Sequence, residues 1–273
     1  MSVKQITSLT NQTIKDIRAL HMRKAREATK TFLSEGLKIV IDALEQGFVP
    51  RILIYGKDAD RHPLLDRAIA ETLKVNGQVL EVTREILEKI SRKDNPQMVL
   101  AVFGQIIHSL TDIDPKSNDV WVALEQVRDP GNLGTIIRTA DAAGIGGVIL
   151  IGDCVDPFSV ETVRATMGSI FALPIVKCTR EAFLADRARW TGSVVGTLLT
   201  ATHSHRSAPY QRPTLIVMGT EQSGLTPELA AACDTNVKIP MRGKADSLNL
   251  SVATGIMIYA ATEDIDLPAP ADR

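Results

Sequence analysis

The 273-residue sequence predicts an α/β protein with two folded parts, and three observations support this prediction. Short apolar runs alternate with segments whose apolar residues recur at helical spacing, first over about 100 residues and again from Asp119. In the second part the apolar runs show no polar alternation, which is typical of strands buried on both faces of a parallel sheet. Between the parts, residues 106–118 mix Ser, Thr, Asp, Pro and Lys without periodicity. These observations predict domains at 1–106 and 119–264, a linker at 107–118 and a flexible tail at 265–273.

The first part is predicted to be a small binding domain. Gly36 and Gly47 bracket one of its helices, and residues 21–30 form a basic segment. We find no Gly-rich phosphate loop and no evident nucleophile in it, which favours binding over catalysis. Its predicted elements, in order, are helix 11–20, strand 31–35, helix 36–47, strand 51–55, helix 63–75, strand 78–82, helix 84–90 and strand 99–103.

The second part is predicted to contain the chemistry, because polar loops follow its buried strands. Open α/β sheets place their sites at the carboxyl ends of the strands. The predicted strands are the apolar runs at 120–124, 147–151, 193–197, 215–219 and 237–239.

Charge is distributed unevenly along the chain. Residues 1–107 contain 17 Lys and Arg against 13 Asp and Glu, whereas residues 108–273 contain 14 against 19. Residues 1–30 alone carry seven basic and two acidic side chains. This asymmetry indicates that the first domain binds a polyanion, although a solvated basic face would give the same pattern.

Several classes of protein are disfavoured. No apolar run reaches the roughly 18 residues that span a bilayer, and the N-terminus lacks the apolar segment of a secretory signal. The three cysteines are far apart, and His203 and His205 lack a third ligand nearby, so we expect neither a disulfide framework nor a metal site. The glycines at 144–147 precede a strand instead of opening a helix, which argues against a dinucleotide-binding fold. A reduced, cytoplasmic setting fits best.

Three loops carry the candidate functional residues. After the first buried strand, Asn132 is predicted to cap a helix that carries Arg138, where an arginine could face an anion or extend along the core edge. After the fourth, Gly219 and Gly224 flank Glu221 and would let a ligand approach the backbone.

The third loop, at 240–249, is organised by Pro240 and Gly243. Ser247 is predicted to cap the helix that follows. The loop lies between two elements predicted to be fully buried, so its polar groups would need partners from the protein or from a ligand.

Taken together, the three loops resemble the motifs of the SpoU family, also called TrmH, of RNA 2′-O-ribose methyltransferases in the SPOUT superfamily. The motifs correspond to residues 132–144, 219–225 and 239–253, in family order and spacing. The front domain resembles the family's ribosomal-protein-like substrate-binding domain, mainly through residues 32–36. The resemblance therefore covers nearly the whole chain.

The resemblance implies a C-terminal SPOUT domain with a mostly parallel sheet and a deep trefoil knot, preceded by a small α/β RNA-binding domain. It implies a homodimer with the active site near the subunit interface. It also implies S-adenosylmethionine as the methyl donor and no metal. By motif position, the donor contacts are Gly219, Ile239 and Leu248, with Thr197 added from the end of its strand.

The same resemblance makes Arg138 the candidate for activating the ribose hydroxyl, and from it we form a hypothesis for the site residues. Arg138 would bind the target phosphate and polarise the ribose hydroxyl, Asn132 would orient Arg138, and Glu221 would hold that network. Ser247 and Asn249 would position the ribose. The expected RNA contacts are Arg18, Arg23, Lys24, Arg26, Lys30 and Arg164.

Alternatives remain open at this point. The fold could serve a non-catalytic RNA-binding or ribosome-assembly protein, or an enzyme that protects rRNA from a drug. The added front domain favours rRNA over tRNA as substrate, but the target nucleotide cannot be read from the sequence.

Overall fold

The computed structural model describes residues 3–60, 62–220 and 223–263. Contacts group them into two compact units: the described residues of Met1–Ile106 with Asp156–Ala172, and those of Ile107–Val155 with Leu173–Arg273. Neither unit is one continuous stretch of sequence, and the domain limits given above stay a prediction.

The secondary structure follows the alternation read from the sequence. The strands are β1 (Lys4–Ile6), β2 (Thr31–Glu35), β3 (Ile52–Gly56), β4 (Gln78–Val82), β5 (Val99–Gly104), β6 (Val120–Glu125), β7 (Val148–Ile151), β8 (Ile175–Cys178), β9 (Val194–Thr197), β10 (His203–Ser204), β11 (Thr214–Met218) and β12 (Thr235–Lys238). The helices are α1 (Gln12–Ala19), α2 (Arg23–Thr29), α3 (Leu37–Glu45), α4 (Pro63–Lys74), α5 (Arg84–Ser91), α6 (Pro130–Ala142), α7 (Val160–Thr166), α8 (Arg180–Asp186), α9 (Pro227–Ala232) and α10 (Leu250–Thr262).

The first unit is built on a five-stranded sheet in the order β1-β4-β3-β5-β2. Strands β1, β4 and β3 are parallel, and β5 runs antiparallel to both of its neighbours. Ile14 and Ile17 of α1 pack with Ile86 and Ile90 of α5 in one cluster with the sheet. Their spacing is that of amphipathic helices, and burial of these faces fixes both helices on the sheet.

Helix α2 is an element that the sequence analysis did not predict. Its residues are polar nearly all round and Arg26 is its buried member, so it lacks the apolar periodicity that reveals a helix. Its position is set by tertiary contacts of Arg26 and not by an apolar face.

The second unit contains a parallel seven-stranded sheet in the order β10-β12-β9-β11-β6-β7-β8. All its strand pairs are parallel. Every residue of β6 is buried, which confirms the prediction of a mostly parallel sheet with strands covered on both faces. The predicted linker also contributes to this core, since Leu110 and Ile113 are buried in it.

Helices α6 and α10 lie together in the second unit. Helix α10 packs against α6, β11 and β6. It is apolar nearly all round, and two of its apolar side chains, Val252 and Tyr259, remain 52% and 55% exposed. This arrangement places the start of α10 beside the start of α6.

Across the described ranges, no helix combines the length and hydropathy that crossing a membrane requires. A search of the same ranges finds no group of three or more His, Cys, Asp or Glu residues arranged to hold a metal ion.

Candidate functional site

A cavity of about 290 Å³ lies at the carboxyl edge of the parallel sheet. Strands β9, β11 and β12 end there, at Thr197, Met218 and Lys238. The four predicted donor contacts all line it, and so does Ser247. Sequence reasoning missed further lining residues because they are aliphatic or small and look like ordinary core: Leu198, Leu199, Met218, Thr220, Met241, Leu250 and Ala253.

Gly219 is required by close backbone packing. A Cβ atom at this position would lie 2.0 Å from the Gly224 carbonyl carbon and 2.1 Å from the Leu225 nitrogen. Thr220 and Gly224 exchange two backbone hydrogen bonds of 3.1 Å, which close the loop on itself. The loop therefore forms a tight wall of the cavity. Glu221, assigned to the same loop from the sequence, lies outside the described residues.

The first and third motifs meet through a side-chain hydrogen bond. Asn249 donates from Nδ2 to Oδ1 of Asn132 over 2.8 Å, across 117 residues of sequence. Asn249 also caps α10, because its Oδ1 accepts from the backbone N–H groups of Ser251 and Val252. One side chain thus starts the helix and joins the two motifs, as the sequence assignment of both asparagines to one site requires.

Two predicted helix caps are wrong. The cap of α6 is Asp129, whose side chain accepts from the Asn132 nitrogen at 2.7 Å, and Asn132 lies in the first turn. The cap of α10 is Asn249 and not Ser247. In both cases the helix begins at a different polar residue of the same loop, because several Ser, Asn and Asp residues there can all cap.

The third loop is more open than predicted. Residues 242–249 are exposed, and in β12 Val237 is the buried residue. Water can therefore satisfy the polar groups of this loop, and the argument that they need protein or ligand partners does not hold. These polar groups support a site because they lie at the cavity mouth, and not because they are buried.

Arg138 projects from α6 into solvent. It is exposed and makes no hydrogen bond or ion pair with any residue that the structure describes. The structure does not join it to Asn132, with which the sequence analysis paired it. The exposed guanidinium is therefore available to an anion from outside the chain.

The basic segment of the first unit is mostly exposed. Arg18, Arg23, Lys24 and Lys30 lie on the surface, and Arg23 pairs with Glu27 at 2.7 Å. Lys30 ends α2 in the left-handed conformation, with a φ of 52°.

Arg26 corrects the prediction for this segment. Its side chain is 3% exposed, and it donates to the Asp156 carboxylate at 2.8 Å and to the Leu20 carbonyl at 2.7 Å. A buried charge needs such partners. Arg26 therefore supports the fold of the first unit and is wrong as an RNA contact. Arg164 is half-buried and donates to both oxygens of Glu35 at 2.9 Å, so it is held by a carboxylate.

The cysteines do not supply a nucleophile. Burial raises the pKa of the Cys178 thiol and of the Cys233 thiol to about 12. Burial also raises the pKa of Cys154. All three remain protonated at neutral pH, and the thiolate is the reactive form.

Comparison with known proteins agrees with this geometry. The model of the SpoU rRNA Methylase family matches residues 119–259, and that of the MRM3-like substrate binding domain matches residues 11–101. The chain is 33% identical over 258 residues to the 23S rRNA (guanosine(2553)-2′-O)-methyltransferase RlmP of Bacillus subtilis, covering 94% of this chain and 98% of that protein.

Solved structures give the same result. The crystal structure of an AdoMet-bound rRNA methyltransferase from Sinorhizobium meliloti has a TM-score of 0.90 and 48% identity, and covers 96% of this chain and 98% of that one. The SpoU methyltransferase AviRb from Streptomyces viridochromogenes in complex with AdoMet has a TM-score of 0.81 and 28% identity, and covers 93% and 97%. With a buried parallel sheet, three motifs at one edge and both family models matched, the chain belongs to the SpoU rRNA methylase family.

Proposed function

We propose that this protein transfers a methyl group from S-adenosylmethionine to a ribose 2′-hydroxyl in structured RNA, with rRNA as the substrate. Family membership and the rRNA 2′-O-methyltransferases among its relatives support the proposal. The single observation that carries it is the bond between Asn249 and Asn132, which joins two motifs beside the cavity. A module that only binds RNA has no need for that junction.

The cavity fits the donor in size and chemistry. Its aliphatic walls, among them Ile239, Leu248 and Leu250, suit the faces of an adenine ring. Gly219 lines the cavity with backbone atoms alone, because it has no side chain. Ser247 and Thr197 add hydroxyl groups. When bound, S-adenosylmethionine supplies an electrophilic methyl group on a sulfonium.

The chain's own residues must align the ribose and assist loss of the hydroxyl proton. We assign no base role to Arg138, because a guanidinium offers N–H donors and no acceptor. We assign it to the phosphate of the target nucleotide, where its charge also polarises the 2′-hydroxyl as the oxygen–carbon bond forms. Asn132 and Asn249 hold the two motif loops together, and Ser247 faces the ribose. Glu221 belongs to this set by motif position.

Substitution of Arg138 by Ala tests the assignment. Methylation should be lost while the donor Kd, measured by calorimetry, stays within about twofold, because Arg138 lies outside the residues that line the cavity. Arg128→Ala is the matched control, since Arg128 is an exposed arginine just ahead of α6 that pairs with Asp153 at 3.2 Å. Turnover that survives in Arg138→Ala contradicts the role, and a wild-type protein that does not bind the donor contradicts the function.

We assign RNA binding in the first unit to the exposed cations of the basic segment. Neutralising Arg18, Lys24 and Lys30 should weaken RNA binding and reduce the slope of log K against log salt by about 0.7–0.9 for each phosphate that the variant no longer neutralises. The control neutralises Lys38 and Lys74, which are exposed but pair with acidic neighbours on their own helices. An unchanged slope would identify the segment as a solvated face. Arg164 bonds Glu35 through Nη2 and its side chain is 42% exposed, so it stays a candidate RNA contact.

The proposed assembly is a homodimer with the active site near the subunit interface. Val252 and Tyr259 lie seven residues apart, on one face of α10, and an exposed apolar helix face favours a partner. Val252→Glu should give monomers in light scattering, whereas Glu263→Ala, beyond the helix, should not. A wild-type monomer at working concentration would contradict the dimer.

We further propose the deep trefoil knot, which the family resemblance implies. It is consistent with the course of the chain, because β12 enters the sheet between β9 and β10 before α10 begins. We keep the domain limits of 1–106, 107–118 and 119–264 as part of the same proposal. The predicted tail at 265–273 lies outside the described residues. We also keep a cytoplasmic location.

The substrate is best identified in cells. Mapping 2′-O-methylation in total RNA with and without the gene should reveal one rRNA position that loses its methyl group. A tRNA position that loses it would replace rRNA by tRNA in the proposal, and an unchanged map would favour the non-catalytic alternative.

A further inference from the structure

Glu125, the last residue of β6, has a buried carboxylate with three partners. Its side chain is 1% exposed. Its Oε2 accepts from the Thr226 backbone N–H at 2.8 Å, and its Oε1 accepts from the Thr226 hydroxyl at 2.9 Å. Arg180 pairs with Oε1 at 3.0 Å. A carboxylate in such a place is costly unless it is paired, so these contacts fix the positions of the groups that make them.

Thr226 makes this contact in place of the capping hydrogen bond that its position at the start of a helix favours. It is the N-cap residue of the six-residue helix α9, but its side chain accepts no capping hydrogen bond. A threonine there normally stabilises its helix through that bond. Here the hydroxyl donates to Glu125 instead. Such a departure from local preference, compensated by a tertiary contact, is typical of functional regions.

Thr226 also ends the loop that forms the cavity wall. Leu225 and Gly224 precede it, and the Gly219 backbone packs against both without room for a Cβ atom. Gly224 is in turn tied to Thr220 by two hydrogen bonds. The chain between Thr226 and the cavity is therefore closely packed, so that a shift of Thr226 would displace Gly219 and Thr220.

We propose that Glu125 is a positioning residue for the donor cavity. It holds the second-motif loop against the strand that leads into the first motif, and Arg180 neutralises its charge. This inference rests on the proposed function, because it takes the cavity as the site of S-adenosylmethionine. Glu125 itself does not line that cavity, so it acts through Thr226.

The test compares Glu125→Ala with Asp234→Ala in the full-length protein. Asp234 is the control for the pattern of partners, because its carboxylate likewise accepts a backbone N–H, from Val194 at 2.8 Å, and pairs with Arg187 at 2.6 Å, although its side chain is 50% exposed. Val194 begins β9, so this network lies at the opposite edge of the sheet. Two quantities are measured: the Kd of S-adenosylmethionine by calorimetry, and hydrogen exchange of the Thr226 amide without donor.

Glu125→Ala should weaken donor binding about tenfold, the change that corresponds to 1.4 kcal/mol, and should speed exchange at Thr226. Its KM for RNA should stay near that of the wild type, which a general loss of structure would not allow. Thr226→Val, which removes the hydroxyl but keeps the N–H, should weaken donor binding by up to about fivefold and serves if Glu125→Ala does not fold.

Equal donor affinity in wild type, Thr226→Val and a folded Glu125→Ala overturns the inference, and so does an equal loss of affinity in Asp234→Ala. These outcomes leave the proposed function intact. Failure of the wild-type protein to bind S-adenosylmethionine overturns the proposed function instead.

Discussion

Asn249→Asp should separate the two tasks of Asn249. An aspartate keeps the oxygen that accepts from Ser251 and Val252, and Asp caps helices as well as Asn does. It removes the N–H that donates to Asn132. The helix should therefore keep its cap while the junction of the two motifs is broken.

The magnitudes follow from these contacts. Replacement by Ala removes the cap, about 1 kcal/mol, and one further hydrogen bond of about 0.5–1 kcal/mol. At about 2–4 °C per kcal/mol for a chain of this size, Asn249→Ala should lower Tm by about 3–8 °C. Asn249→Asp loses the hydrogen bond to Asn132 but keeps the cap, so it should lower Tm by about 1–4 °C, less than Asn249→Ala does. Its kcat should nonetheless fall about tenfold, equivalent to 1.4 kcal/mol in the barrier.

Thermal unfolding and a methyl-transfer assay with radiolabelled donor check this prediction on wild type and both variants. If Asn249→Asp unfolds as early as Asn249→Ala, the cap has been assigned incorrectly. If Asn249→Asp keeps full turnover, the bond to Asn132 does not organise the site.

Three further predictions concern stability and the cavity. Gly219→Ala should cost about 1–3 kcal/mol by overpacking and weaken donor binding, because its Cβ would lie 2.0 Å from Gly224. Gly243→Ala should be neutral, because none of the described atoms lies within 4 Å of the added Cβ. Urea unfolding and calorimetry measure both variants. Arg26→Ala leaves the buried Asp156 carboxylate without its cation and should destabilise by about 3–5 kcal/mol in urea unfolding, whereas Arg84→Ala, from an exposed pair, should cost under about 1 kcal/mol. Burial lowers the pKa of His21 from 6.5, so the unfolded chain binds the proton more readily than the folded protein does. His21 should therefore reduce the unfolding free energy as pH falls below about 6.5. His21→Gln should flatten that part of the curve of unfolding free energy against pH. A steeper curve in His21→Gln would contradict the assigned direction.

Most elements could be predicted because their pattern is local. The strands at 31–35 and 78–82 have the predicted limits, and most of the other predicted elements differ from the structure by one or two residues. Helix α6 begins three residues earlier than a cap at Asn132 implies. Apolar runs and helical spacing suffice for this, since each element must bury one face or both. Helix α2 was not predicted because it has no apolar face and is held by the buried ion pair of Arg26. Such an ion pair leaves no periodic pattern in the sequence.

The candidate site was predicted in composition but not in detail. The motifs identified Gly219, Ile239 and Leu248, and the structure places them around one cavity. The caps at Asn132 and Ser247 were wrong, because neighbouring polar residues compete for the same N–H groups and their geometry decides between them. Glu125 had no signal at all, since a carboxylate at the end of a strand looks the same whether it is solvated or buried.

The sequence by itself determined the order of strands and helices in the two parts, the parallel sheet and the family. Hydrophobic periodicity and motif spacing depend only on the order of residues along the chain. Only the tertiary structure decided which side chains meet: Asn249 with Asn132, Glu125 with Thr226, and Arg26 with Asp156. Each of these contacts joins residues about 100 or more positions apart. Local preferences do not encode such pairs, because the energy of a buried polar group depends on the partner that the fold brings to it.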